Sequence, residues 1–368
     1  MATATGEFIA IFDADFVPPA DFLQRTVHFF SDPQIGVVQT RWSYLNKEYN
    51  ILTQVEAMLL DGHFVLEHCA RYGDNLFFNF NGTAGIIRRK MIEDAGGWQH
   101  DTLTEDSDLS YRAQLNGWRF AYLVDLECPS ELPVETYGFQ VQQSRWAKGL
   151  TQVAKKLLPR ILKADIPWRV KLEAFLHLTP NISYPLMIVV SALMLPVMIV
   201  RFYMGWMQML LIDMPLIIAS FISIAAFYLM AQKELFPRTW WKSIFFMPML
   251  MAAGVALTVS NTKAVMEALF GIQTSFARTP KYAIGTQKVK VAQTAYRRRS
   301  GWLPYIELAL GTYFVFMVGW AIDSYNFLSI PFLMLFVGGY YWAGFSTLYQ
   351  EYRDRLAFQR QRKLAEIG

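Results

Sequence analysis

The sequence predicts an α/β domain followed by an α-helical transmembrane domain. Two observations carry that reading. Across 368 residues, 54% hydrophobic and 15% aromatic, charges recur every few positions up to about Lys171, whereas Ile182–Val200 and Met214–Met230 hold none. Runs of that length match the roughly 20 residues that a helix needs to cross a bilayer core. In the first half, short apolar runs alternate with helical patterns, the signature of a sheet flanked by helices. The expected organisation is therefore 1–150 as a catalytic-type domain, 151–178 as interfacial helices, 179–350 as the membrane part with a loop at 270–300, and 351–368 as a charged tail. A net charge of +4 is mild, and its basic residues cluster beside the apolar runs. The expected partner is a lipid bilayer, and no nucleic acid is expected. Cys69 and Cys128 lack metal spacing and imply no disulfide framework, which suits a reducing compartment. There is no cleavable signal peptide, internal repeat or low-complexity tract.

Taken in order, Glu7–Phe12 is an uninterrupted apolar run, as expected of a parallel strand buried on both faces. It ends in Asp13-Ala14-Asp15. Two acids at the carboxyl end of a strand suit a hard divalent cation such as Mg²⁺ or Mn²⁺, although a turn before Pro18-Pro19 explains them equally. Ala20–Phe30 reads as a helix with Phe22, Leu23, Val27 and Phe30 inward, and Ile35–Gln39 as a strand. Ile51–Tyr72 reads as a longer helix, with His63 and Glu67 one turn apart, either as metal ligands or as a hydrogen-bonded pair. Leu76–Phe80 and Ala84–Arg88 read as strand segments around Asn81-Gly82-Thr83, where the glycine admits a ligand or a bulge.

Leu103–Trp118 is an amphipathic helix with Thr104 as its N-cap and Glu105, Asp106 and Asp108 in its first turn. Acids there complement the helix dipole and need no further role. Trp118–Val124 is a strand, and Glu135–Leu150 a helix holding Gln142, Arg145 and Trp146. An arginine fork suits phosphate oxygens and an indole face suits a sugar ring; the same pair is common at membrane surfaces.

The ordered set Asp13-x-Asp15, Thr104-Glu105-Asp106, Gln142-x-x-Arg145-Trp146 and then membrane helices resembles the processive family 2 glycosyltransferases. These are cellulose synthase and especially the cellulose-synthase-like glucomannan and xyloglucan-backbone synthases. Phe80–Gly85 and Ala95–Trp98 belong to the same resemblance, which runs closely from Gly6 to Gly149 and loosely beyond. It implies an A-type glycosyltransferase fold, incomplete on its N-terminal side, that uses a sugar nucleotide, with UDP-glucose or GDP-mannose indicated. The expected product is a growing β-1,4-linked polysaccharide passed through the membrane helices. Asp13 and Asp15 would hold Mg²⁺ or Mn²⁺ against the diphosphate. Asp106, with Glu105 beside it, would be the general base of an inverting displacement. Gln142 and Arg145 would meet donor and pyrophosphate, Trp146 the acceptor sugar, and Asn81, Gly82 and Thr83 the bound sugars. For Asp106 two effects oppose each other: a helix N-terminus lowers its pKa, whereas Glu105, Asp108 and burial raise it.

Lys148–Lys171 interleaves basic and apolar residues as interfacial helices do, placing the catalytic part on the cytosolic side of a bacterial inner membrane or its equivalent. Spans are expected near Asn181–Val200, Met214–Ala231, Trp302–Ile322 and Phe327–Tyr349. Ile244–Val259, with basic residues on both sides, reads as interfacial or re-entrant. In the loop Phe270–Gly285, Thr279-Pro280-Lys281 resembles the end of the cellulose synthase gating loop, with Thr279 and Lys281 over the diphosphate; an ordinary basic loop reads as well. Arg297–Arg299 serve as a topology signal. With twelve residues ahead of Asp13, the nucleoside pocket is expected to be half built, so that the chain binds UDP- and GDP-sugars no better than micromolar. Two alternatives stand beside the polymerising reading: a non-processive transferase acting on a lipid acceptor, and an inactive membrane scaffold.

Overall fold

The computed structural model describes residues 5–205, 207, 211–212, 214–274 and 301–367. The chain divides into two compact units, Met1–Leu132 with Gln142–Ile182 and Ala264–Gln287, and Pro133–Val141 with Ser183–Lys263 and Lys288–Gly368.

The first unit is built on a four-stranded mixed sheet, β1 (Phe8–Ile11), β2 (Ile35–Tyr44), β3 (Gly85–Arg88) and β4 (Arg119–Ser130), in the order β1-β3-β2-β4. β3 runs antiparallel to both of its neighbours, and β2 and β4 are parallel. Residue alternation sorts the two faces. Val37, Ile87, Phe120 and Tyr122 pack with Phe64, Phe78 and Leu109 on one side. Val38, Ile86 and Ala121 pack with Phe22, Phe30 and Leu126 on the other. Both faces of the central strands are thus covered, which explains their near-continuous apolar sequence.

β1 differs from expectation. It pairs antiparallel with β3, and its residues are half-buried or exposed, because among the described residues only one strand lies beside it. The helix after it is also shorter than expected. It comprises α1 (Phe22–Thr26) and a 3₁₀ turn at Val27–Ser31, with Phe22 and Phe30 buried but Leu23 and Val27 exposed.

α2 (Ile51–Asp61) begins with a capping box at Asn50 and Thr53 and passes through a π-helical turn, Gly62–Glu67, into α3 (His68–Gly73). Leu76–Phe80 forms no strand. Its backbone groups are taken by side chains of α5 (Glu105–Leu115). Phe78 N–H donates to Gln114 Oε1 at 3.2 Å, Gln114 Nε2 to Phe78 O at 2.8 Å, and Phe80 N–H to Ser110 Oγ at 2.9 Å. An apolar run whose backbone is satisfied in this way needs no ladder partner. α4 (Arg89–Asp94) follows β3 directly.

α6 (Thr136–Lys163) is one continuous helix through Pro159, longer than the sequence pattern indicated, and α7 (Trp168–Leu178) follows. Val153, Leu157 and Ile161 of α6 pack with Ala174 and Leu178 of α7 and with Tyr111 of α5.

Among the described residues, four helices are long and apolar enough to cross a membrane: Pro180–Met204, Met214–Leu235, Leu303–Asp323 and Phe327–Leu356. Trp240–Ala256 and Thr258–Leu269 form a fifth apolar pair bent by 40°, a broken span or a re-entrant loop. The expected interfacial or re-entrant Ile244–Val259 falls within this pair. The bundle interior stacks Phe314 on Phe336 at 4.6 Å and closes around Met317 and Tyr340. It also encloses a polar cluster, in which Gln140 Nε2 donates to Glu307 Oε1 at 3.0 Å and Thr347 Oγ1 donates to Gln140 Oε1 at 3.2 Å.

Candidate active site

The loop Asn81-Gly82-Thr83 joins the two acidic motifs. Asp13 N–H donates to Thr83 Oγ1 at 2.8 Å, and Ala84 N–H to Ile11 O at 2.9 Å, so the loop is fastened to the end of β1. Gly82, at φ +80°, lies over the other motif. A Cβ added there would stand 2.9 Å from Asp106 Oδ2. Ala84 follows at φ +57°, a conformation that a non-glycine residue holds only when its surroundings enforce it. Gln39 supplies that enforcement. Fully buried in β2, it accepts from Asn81 N–H at 2.9 Å and donates to Thr83 O and Ala84 O at 3.2 Å.

Asp15 Oδ2 accepts from Glu131 N–H at 3.3 Å, just past β4. Asp13 and Asp15 are thus tied to different neighbours at one end of the sheet, past the carboxyl ends of β1 and β4. Among the described residues no group of three or more His, Cys, Asp or Glu gathers as a metal site. Two carboxylates fit a hard cation whose remaining ligands are phosphate oxygens and water, the usual arrangement for Mg²⁺.

Asp106 opens α5 together with Glu105 and Asp108. Thr104 holds the N-cap position, yet its hydroxyl makes no capping bond, and Gly149 of α6 packs against it. A Cβ at Gly149 would lie 2.5 Å from Thr104 Cγ2 and 2.7 Å from its backbone nitrogen. Asp106 itself accepts from Ser107 N–H at 2.7 Å. Burial, then the neighbouring Glu105, raise its carboxyl to about 7 against the lowering effect of that N–H and of Arg145. Burial therefore outweighs the helix terminus. Asp108 takes no part: fully buried, it is clamped by Arg112 at 2.7 Å and Lys156 at 2.9 Å.

α6 brings two of its faces to the site. Arg145, Gly149, Gln152 and Lys156 follow a helical stripe. Gln152 Oε1 accepts from Leu103 N–H at 2.9 Å, and Lys156 reaches Asp108. Burial lowers the Arg145 pKa, while Asp106, Glu105 and Asp13 raise it, so this guanidinium lies within electrostatic reach of both acidic motifs. The adjacent stripe, Gln143, Trp146, Ala147 and Leu150, lines a cavity of about 440 Å³. Gln143 and not Gln142 faces that cavity.

His63 and Glu67 are a hydrogen-bonded pair at 3.0 Å on the π-helical turn, where irregular helix often marks a functional position. His63 Nε2 also lies 3.3 Å from Asn81 Oδ1. Lys148, nearly fully buried, donates to Glu267 at 2.7 Å and to Thr274 Oγ1 at 2.9 Å. Thr279 and Lys281 lie outside the described residues. Sequence reasoning passed over Gln39, Gln143 and Gly149. A lone glutamine inside a valine-rich strand and a glycine one turn past Arg145 are the signals that could have found them.

The first unit thus carries a mixed sheet with two acidic motifs brought to one loop, and helices long and apolar enough to cross a membrane follow in the sequence. The chain belongs to glycosyl transferase family group 2, whose family model matches residues 8–255. Over 158 residues it is 44% identical to glucomannan 4-beta-mannosyltransferase 2 of Arabidopsis thaliana, covering 43% of this chain and 30% of that protein. It is equally similar to the probable glucomannan 4-beta-mannosyltransferase 4 of Oryza sativa subsp. japonica, of which it covers 29%. The chain thus spans less than a third of the length of these relatives. A mannosyltransferase from Pyrobaculum calidifontis, solved in complex with GDP-Man and Mn²⁺, aligns at a TM-score of 0.41 with 20% identity, covering 74% of this chain and 65% of that one.

Proposed function

We propose that the protein is an inverting hexosyltransferase that elongates a β-1,4-linked mannan- or glucan-type polysaccharide from a sugar nucleotide. Its catalytic part faces the cytosol and its apolar helices carry the product across the membrane. The observation that supports this most is the convergence of Arg145, Asp106, Glu105 and Asp13 in one electrostatic neighbourhood, bridged by the Asn81–Thr83 loop. Similarity to the two glucomannan mannosyltransferases favours GDP-mannose over UDP-glucose as donor.

In this reading Asp106 accepts the proton of the acceptor hydroxyl as its oxygen attacks the anomeric carbon. A carboxyl held near 7 is well matched to that task. Arg145 offers its planar fork to the departing diphosphate, and Trp146 supports the acceptor ring. Gln142 and the Asn81–Thr83 loop line the donor side. Asp13 and Asp15 would hold a divalent cation, which when bound supplies countercharge for the leaving group.

The test is to incubate membranes containing the chain with labelled GDP-mannose or UDP-glucose at millimolar concentration with Mn²⁺, then digest the product with β-mannanase or β-glucanase. The expected outcome is a long, hydrolase-sensitive product lost on chelation by EDTA. A single sugar on lipid, or product formation indifferent to EDTA, would contradict the proposal.

A further inference from the structure

The π-helical turn Gly62–Glu67 presents His63 to two acceptors at once. On one side its Nδ1 lies 3.0 Å from Glu67 Oε2, and on the other its Nε2 lies 3.3 Å from Asn81 Oδ1. Burial would raise the Glu67 carboxyl, but the His63 hydrogen bond and charge, with Arg71, hold it at about 2, so Glu67 is ionised and only accepts. Asn81 Oδ1 is fixed as an oxygen by its other neighbour. Asn79 Nδ2 donates to it at 2.9 Å and to Phe80 O at 3.3 Å, and turning the Asn81 amide over would set two NH₂ groups face to face. A neutral imidazole carries one N–H and one lone pair and satisfies only one of the two oxygens, whereas the imidazolium donates to both.

The second of these bonds reaches the loop that joins the acidic motifs. Asn81 N–H donates to Gln39 Oε1, Thr83 Oγ1 accepts from Asp13 N–H, and Gly82 lies over Asp106. Once His63 is neutral, the stronger acceptor Glu67 keeps the proton on Nδ1, and the Nε2 lone pair faces Asn81 Oδ1. The contact then turns from attraction to repulsion at the first residue of the loop. The titratable and charged groups around His63 are Glu67, Arg71 and His68 on its own helix, and Glu173 and His177 of α7. Burial holds His68 and His177 well below the usual histidine range, so neither competes for the proton. Arg71 is paired with both Glu67 and Glu173. On this side α6 brings the uncharged Gln143 and Trp146, and Asn79–Asn81 carries no charge.

We propose that His63, as an imidazolium, is a positioning residue for transfer: through Asn81 it holds the loop that joins Asp13 to Asp106, and its deprotonation loosens that loop. The word transfer rests on the glycosyltransferase reading, but the loop can be followed without donor. In the full chain, in lipid nanodiscs, amide exchange of residues 81–84 is measured by mass spectrometry from about pH 6 to about 9, with the intrinsic pH dependence of exchange divided out. Protection in the parent should fall about tenfold on the alkaline side, the equivalent of one charge-assisted hydrogen bond. His63→Gln supplies an amide donor that does not titrate and should keep protection constant over that range. His63→Phe, with no donor, should show the low protection at every pH. Turnover should follow the loop: the parent rate falls again on the alkaline side of the Asp106 limb, and in His63→Gln the fall is absent while the rising limb remains. Parent protection indifferent to pH, the same alkaline loss in His63→Gln, or a parent rate with no alkaline fall would overturn the proposal. Exchange as expected in a chain that transfers no sugar would leave the hold on the loop standing and defeat the transferase reading instead.

Discussion

Asp106 carries the sharpest consequence at the scale of single residues. Its carboxyl, raised from 3.8 to about 7, binds a proton more tightly in the folded protein than in the unfolded chain. Stability therefore falls as pH climbs from the usual carboxylate range through about 7. Asp106→Asn should raise stability at pH 8, by up to about 4 kcal/mol on the relation of roughly 1.4 kcal/mol per pKa unit; thermal unfolding across pH 4 to 8 would measure it. A mutant no more stable than the parent at pH 8 would deny the burial of that charge. The rate of transfer should rise with pH through about 7, read as the ascending limb of a pH–rate profile. Part of this was legible in the sequence, since the acids at a helix start already set burial and Glu105 against the helix dipole. What was not legible is that Asp108 is withdrawn by Lys156, a residue 48 positions away. Long-range pairing of this kind leaves no local pattern.

Among the elements, α6 organises the first unit because successive faces do different work. Its crossing with α5 depends on Gly149, where a Cβ would stand 2.5 Å from Thr104. Gly149→Ala should cost about 1–3 kcal/mol of stability and slow transfer, since any relief moves Arg145 relative to Asp106. Unfolding midpoints and turnover, measured together, check both effects. Arg112→Met would leave Asp108 with Lys156 as its one remaining cation and should cost about 3–5 kcal/mol in denaturant unfolding. α2, α5 and the first halves of β2 and β4 were readable from periodicity, whereas Ala20–Phe30 was not, since Leu23 and Val27 are exposed. Leu76–Phe80 misled because a strand and a side-chain-satisfied loop share one apolar signature. β1 misled because periodicity describes the residues of a strand and not its neighbours.

At the scale of the whole molecule, composition alone located four apolar helices that start within two residues of their expected positions, whereas the two compact units interleave in the chain, with Pro133–Val141 in the second and Ala264–Gln287 in the first, which no composition shift marks. Among the described residues, the bent pair Trp240–Leu269 decides the parity of crossings. An even number of crossings between the residues before Pro180 and those after Leu356 leaves both on one side of a membrane; an odd number separates them. Protease protection of a tag at each end in sealed vesicles would distinguish them, and the four-crossing topology predicts equal exposure. In the proposed mechanism everything depends on Asp106 acting as a base beside a bound donor. Its most direct measurement is the rate of hexosyl transfer by Asp106→Asn against the parent chain at millimolar donor with Mn²⁺. The account predicts a loss of about 10²–10⁴-fold, the usual size of a general-base contribution. Transfer by Asp106→Asn at the parent rate would contradict it.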